Sequence, residues 1–500
     1  MDSFINFVKG YGQIKIFLPH KLMKYRQIQI LTFIAVFVCY LIALLTLQDH
    51  VIYYQEQHSL FLFSRSYFEQ TIHSQGPLGY VGAFMVQFYY YPWLGAALVS
   101  LFASCIYLLT ESIIFKIFGC RDFLQLGVAA AAALYFTLDG IEESPAWLAV
   151  ATLILFIIWI FLSVFMKRKK TKVFNARLTI FQILILLLLP AVYICGALGI
   201  EAHKLDRAER YMIRAERAIK NKNWDEAIDI TSAYLGTGRV NKLMLYLRSL
   251  ALAEKGELID HLFDYQHKAS IQSLAFPWSS NTREAEYGHL VHEATGDINA
   301  AHQWAFEAMT AWGETSSHLN DLGRYNVALN RPKVAKKFAD KLDQSLFYGS
   351  QADKIRESIN GENDLKLHYP QPDTLISKWI NILDFRPNLM QNYLADTTNQ
   401  VTRQYLIASM LLENNLRLLI PILRPQDLES ENIREAVLLY SLDPQAQPLE
   451  NFGLKVDETT GREFADFYKL LRQGDRKDLE KKYGKTYWYY KHIVHPTEIR

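Results

Sequence analysis

The spacing closest to metal chemistry in this 500-residue chain is His289-x-x-His292-Glu293. Zinc hydrolases that bind through paired histidines use H-E-x-x-H or H-x-x-E-H, which sets the carboxylate where a base is needed. Here the carboxylate directly follows the second histidine. The run is therefore expected to be structural, and no metal or cofactor is assigned. No G-x-S-x-G, no phosphate-cradling glycine loop and no Cys/His nucleophile pair occurs. A second set of titratable groups, Asp49, Glu56, Glu69, His50, His58 and His73, is scattered through an aromatic stretch, residues 48–91. A third, Arg207, Arg210, Arg214 and Arg217, interleaves with Glu209 and Glu216, as in a solvated helix laced with ion pairs.

The elements that carry these groups fall into two unlike halves. Residues 28–200 read as a polytopic membrane domain. A crossing needs roughly 20 apolar residues, and five stretches qualify, at about 28–47, 92–118, 123–138, 145–166 and 174–199, the last with Pro190 inside it. Residues 201–500 read as soluble and helical, so the expected class is all-α. All four cysteines, Cys39, Cys105, Cys120 and Cys195, lie in or beside apolar segments, and none has zinc-type spacing. The C-terminal half therefore has no disulfide framework. A formal net charge of +2 gives no general reason to expect nucleic acid as a partner. Membrane lipid is the expected partner of the first half.

Lys and Arg set the orientation. Residues 1–27 form a basic arm with Lys9, Lys15, Lys21, Lys24 and Arg26, and Lys167, Arg168, Lys169, Lys170 and Lys172 lie between the fourth and fifth stretches. Residues 48–79 hold only Arg65, and the turn after the third stretch has Asp139, Glu142 and Glu143 without a cation. The alternation puts the N-terminus in the cytoplasm and residues 201–500 outside it. In a bacterium this means the inner membrane with a periplasmic domain. Glu111, near the inner end of the second stretch, is expected to reach the interface. The aromatics of 48–91, including Tyr53, Tyr54, Phe61, Phe63, Tyr67 and Phe68, suit an interfacial belt at the headgroup level.

Asp49 at the end of the first stretch, a long loop, and Gly76-Pro77-Leu78-Gly79-Tyr80 before the next stretch resemble the start of GT-C polyprenyl-phosphate-sugar glycosyltransferases. That resemblance covers about 60 residues and implies an acidic residue, Asp49, Glu56 or Glu69, as base or metal ligand. Five crossings are fewer than that family shares.

Residues 201–345 repeat. Trp224 to Leu258, Ile298 to Pro332 and Ala301 to Ala335 are each 34 residues apart, with turns at Lys255-Gly256-Glu257, Thr295-Gly296-Asp297 and Asn330-Arg331-Pro332. The pattern resembles the tetratricopeptide repeat (TPR) family, helix hairpins with a small residue in the first helix and another (Ala227, Ala301, Ala335) in the second. His289 falls at the small-residue position of the best repeat. The resemblance implies a binding face built from first helices, with Tyr246, Arg283, Glu286, Asn320 and Arg324 on it, for a protein or peptide. Residues 346–500 read as irregular α-solenoid, closed by an aromatic cap at 483–490. The whole resembles uncharacterised bacterial membrane proteins with TPR tails. The expectation is a cell-envelope scaffold for protein–protein interaction and not an enzyme, with the GT-C-like transferase as the alternative.

Overall fold

The computed structural model describes residues 25–118, 122, 125–137, 145–165, 184, 188–196, 207–265, 270–277, 281–362, 385–474 and 476–495. Among them every regular element is helical. The basic arm, the Lys167–Lys172 cluster and most of the fifth stretch lie outside the described residues. The contacts divide the chain into two units: Met1–Gln48 with Trp93–Ala202, and Asp49–Pro92 with His203–Arg500.

Among the described residues of the first unit three helices are long and apolar enough to cross a membrane, within Tyr25–Thr46, Pro92–Phe118 and Ala146–Phe165. The described helix of the third stretch, Leu126–Thr137, has 12 residues. At 1.5 Å per residue that is about 18 Å, short of a hydrocarbon core of about 30 Å. It packs closely, since a Cβ on Gly127 would stand 2.9 Å from the Tyr107 carbonyl oxygen. Glu111 is 3 % exposed and accepts a 3.0 Å hydrogen bond from Gln29 Nε2. Its carboxylate is thus held by a neighbouring helix. An apolar cleft of about 440 Å³ lies between Phe102, Cys105, Leu109, Leu153 and Phe156.

The second unit joins residues 49–92 to the C-terminal helices, where the sequence reading had put the 48–91 stretch against lipid. Asp49–Gln57 and Arg65–Val86 are helices. Ser64 caps the second by accepting from the Tyr67 amide, and Gly76, at φ +73°, bends it ahead of Pro77. Leu60 and Leu62 share one core with Leu319, Ala335, Ala339, Leu342, Tyr348 and Ile355. Tyr90 stacks on Phe347 with ring centroids 5.3 Å apart, and the Phe63 amide donates to the Gln344 carbonyl at 2.8 Å. The aromatic residues divide: Tyr54, Phe61 and Tyr89 are buried in protein, whereas Phe63 and Phe68 are exposed.

The C-terminal helices follow the capping signals of the sequence. Asn241, Asn281, Asp297 and Thr315 each accept amide hydrogen bonds at the start of Lys242–Lys255, Thr282–Ala294, Ile298–Trp312 and Ser316–Ala328. Pro332 opens Pro332–Leu342. Consecutive helices pack as pairs: Arg207–Lys220 with Trp224–Leu235, Thr282–Ala294 with Ile298–Trp312, and Ser316–Ala328 with Pro332–Leu342. Lys242–Lys255 is different. Residues 257–265 after it are turns whose Leu258, Ile259, Leu262 and Phe263 are buried. Gln400–Leu412 packs against it instead, with Gln404 bonded to the Gly256 carbonyl at 2.9 Å and to the Ile259 amide at 3.2 Å.

The small residue of Thr282–Ala294 is Gly288, not His289. A Cβ there would overlap the indole of Trp304, and one on Gly323 would come within 2.6 Å of Ile355 Cδ1. Gly288→Ala is therefore expected to cost about 1–3 kcal/mol by overpacking, despite the better helix propensity of alanine. Thermal melting of the full chain checks this; an unchanged or raised midpoint refutes it.

The chain also returns on itself. Tyr487, Trp488, Tyr489 and Tyr490 are buried, Tyr490 lies 4.9 Å from Phe263, and the Tyr490 hydroxyl donates to the Leu412 carbonyl. The C-terminal aromatics close one large core that residues 389–490 share with residues 208–304.

Candidate functional site

The polar residues singled out in the sequence meet along the first helices of successive pairs, where Asp49–Gln57 is seated. Its N-terminal Asp49 takes Arg214 Nη2 at 2.8 Å and lies 3.8 Å from Arg217 Nη1. At its other end Gln57 accepts from Lys220 Nζ at 3.0 Å, and Glu56 accepts from the Tyr348 hydroxyl. Arg217 faces the Tyr53 ring and Arg283 the Tyr54 ring at 5.8 and 5.9 Å. His58 stacks on Tyr54 and meets Trp312 edge-on.

A second polar tier lies beneath. Lys220 reaches Ser317 Oγ at 3.2 Å and is 3.9 Å from Glu286, which takes His318 Nε2 at 2.7 Å. Glu286 is 3 % exposed. Burial alone would raise its pKa, but His318 and Lys220 outweigh it and hold the carboxyl at about 2. Burial opposes the charged form of His318, yet its bond to Glu286 raises its pKa on balance. Arg283 donates to Glu209 at 2.7 Å and to Glu216 at 3.2 Å. So Glu209 and Glu216 serve a distant arginine as well as their own helix.

The five residues expected on the binding face separate. Arg283 and Glu286 belong to this network. Arg324 is held by Glu293 at 2.6 Å and Asp321 at 3.2 Å, and Asn320 is half-buried on the same helix. Tyr246 is corrected: it is fully buried, donates to the Tyr287 carbonyl at 2.7 Å, accepts from the Val291 amide at 3.0 Å and stacks on Phe276. Its helix is covered by Gln400–Leu412, which leaves that ring no exposed face.

The three carboxylates of the alternative reading do not converge. Asp49 and Glu56 sit at opposite ends of one helix in separate pairs, and Glu69 pairs with Arg65 in solvent at 2.8 Å. Burial would raise the Asp49 pKa, but His50 and Arg214 hold it well below the usual carboxylate range. A carboxylate held that strongly ionised is a weak base. The metal-like run is also dispersed. Tyr325 donates to Glu293 at 2.5 Å, so its oxygen accepts from His289 Nδ1 at 2.8 Å. His292 packs against Phe385, and burial lowers its pKa to about 3.

One model, a family of unknown function (DUF6057), matches residues 24–200 and 141–493. The chain belongs to this family. The match runs across both units, so the membrane-type helices and the paired helices of this DUF6057 chain form one family architecture. No curated protein and no solved structure matches the chain.

The seating of 49–57 was missed in the sequence, although Arg214, Arg217 and Lys220 recur at helical spacing and so share one face. That stripe was the available signal. Its acidic partner lies 165 residues away, and helical spacing carries no information about it.

Proposed function

We propose that the protein is a membrane-anchored scaffold whose TPR-type helical repeats, held outside the cytoplasm, bind a protein or peptide in the cell envelope. The observation that carries this reading is the seating of Asp49–Gln57. The first-helix face holds a helix through the Arg214–Asp49 ion pair at one end, the Lys220–Gln57 hydrogen bond at the other and ring contacts between them, which is the means by which a repeat protein holds a helical ligand. The anchor is the set of three membrane-length helices. The dispersal of Asp49, Glu56 and Glu69 into separate pairs argues against the transferase alternative.

Complementation of a deletion strain tests it. The Asp49→Asn, Glu56→Gln, Glu69→Gln triple variant keeps hydrogen-bonding groups at all three positions and is expected to complement. A chain lacking residues 203–500 is expected not to. Failure of the triple variant at normal abundance and melting temperature would overturn the scaffold in favour of an enzyme. A photocrosslinker at Asn320 in native membranes is expected to give a discrete protein adduct. A reporter fused after Arg500 that is active only in the cytoplasm would overturn the orientation.

A further inference from the structure

The helix Arg207–Lys220 carries more positive charge toward residues 49–53 than those residues neutralise. Arg210, Arg214 and Arg217 recur at spacings of four and three, and so share one face. The carboxylate they meet is Asp49, bonded to Arg214 at 2.8 Å and 3.8 Å from Arg217. The nearby acids of the same helix, Glu209 and Glu216, are taken by Arg283. Arg210 has no hydrogen bond or ion pair among the described residues, and its Nε is buried without a partner, as is that of Arg214. Burial and the neighbouring Arg214 guanidinium both disfavour its charge.

Behind the arginines lies His50. It is 2 % exposed, 3.8 Å from Asp49, and neither ring nitrogen has a hydrogen-bond partner. The Tyr53 hydroxyl beside it is likewise unpartnered. Buried donors without acceptors are costly, and like charges crowded around one carboxylate add to that cost. One further anion would relieve both. The sites open to it are the guanidinium ends, since Arg214 and Arg217 are 37 % and 42 % exposed.

Chain connectivity says where that anion comes from. Thr46 ends an apolar helix long enough to cross a membrane, and only Leu47 and Gln48 separate it from Asp49. Three residue steps span at most about 10 Å, so Asp49 and the arginines it binds stand at headgroup depth. Cations at that depth attract anionic lipid. We propose that Arg210, Arg214 and Arg217, with His50 buried behind them, form a site for the headgroup phosphate of an anionic phospholipid. The site is independent of the scaffold reading and lies at the N-terminal end of the seated helix, away from Glu286 and His318.

Full-length protein in neutral detergent, mixed with phosphatidylglycerol or phosphatidylcholine and weighed by native mass spectrometry, tests this. The wild type is expected to retain phosphatidylglycerol over phosphatidylcholine by about fivefold per engaged arginine. Arg210→Gln removes a group with no hydrogen bond or ion pair among the described residues, so its melting temperature without lipid should be unchanged while the preference drops by about fivefold. Arg210→Lys should restore part of it. Equal retention by wild type and Arg210→Gln overturns the site. Inorganic phosphate raising the melting temperature as much as phosphatidylglycerol overturns the lipid assignment.

Discussion

Replacing Glu435 by glutamine is expected to flatten the fall in stability that the raised pKa of Glu435 predicts between pH 4.5 and about 8. Glu435 is 1 % exposed. One carboxyl oxygen accepts the Trp488 amide at 3.0 Å, while the other is buried without a partner. Burial, with Glu431 and Glu463 near, raises its pKa from 4.5 to about 8 against the lowering effect of the Trp488 and Tyr487 amides. A group whose folded pKa is raised contributes stability that is complete below its unfolded pKa. That contribution is lost as pH rises, because the unfolded chain releases its proton first, and the loss is complete once pH passes the folded pKa. The expected loss is about 3–5 kcal/mol. Glutamine is neutral throughout and keeps a carbonyl for the Trp488 amide. The variant should match the wild type at the acid end and exceed it at the alkaline end. Trp488 itself is 1 % exposed, so its fluorescence reports release of the C-terminal segment. Parallel melting curves for the two proteins across that range would refute the assignment.

Helix ends were legible because their signals are local. Gly296, Asp297 and Pro332 mark starts and stops in the sequence and do so in the structure. The apolar helices were legible where they are long. The stretch 123–138 reads as a crossing from composition, and its described helix, Leu126–Thr137, covers 12 residues of it. Contacts between distant segments were not legible. Aromatic composition in 48–91 is equally suited to a headgroup belt and to a protein core, and the partners Phe347, Tyr348 and Leu319 place Tyr90, Leu60 and Leu62 in the core while Phe63 and Phe68 stay exposed. Likewise 34-residue spacing brackets the small-residue site but does not choose between Gly288 and His289. The choice is made by Trp304, which leaves no room for a Cβ on Gly288. Tyr246 was assigned to an open face by counting along its helix, and counting could not show that residues 400–412 return to cover it. Of the candidate site, the residue types were readable and the pairings were not.

Arg283→Met is expected to cost about 3–5 kcal/mol, because it leaves a buried charge uncompensated. Arg283 spans two carboxylates of unlike standing. Glu209 is 30 % exposed and can be resolvated, whereas Glu216 is 2 % exposed and sits 3.2 Å from the guanidinium. Burial already raises the Glu216 pKa even with Arg283 lowering it. Without the arginine it rises further, so the variant should lose least stability at low pH, where Glu216 is protonated in both states, and most as pH rises through the raised value. Adding Glu216→Gln removes the stranded charge and should recover most of the loss, while Glu209→Gln in its place should recover little, since an exposed pair contributes at most about 1 kcal/mol. The ratio of the two rescues is the informative quantity. A surface residue reserved for a partner would give a stable Arg283→Met chain, with neither second substitution changing its melting temperature. A cost reversed by Glu216→Gln instead shows that Arg283 joins Arg207–Lys220 to Thr282–Ala294. That join fixes the spacing of the two first helices whose Arg283 and Lys220 meet Tyr54 and Gln57, and so the width of the seat that holds Asp49–Gln57.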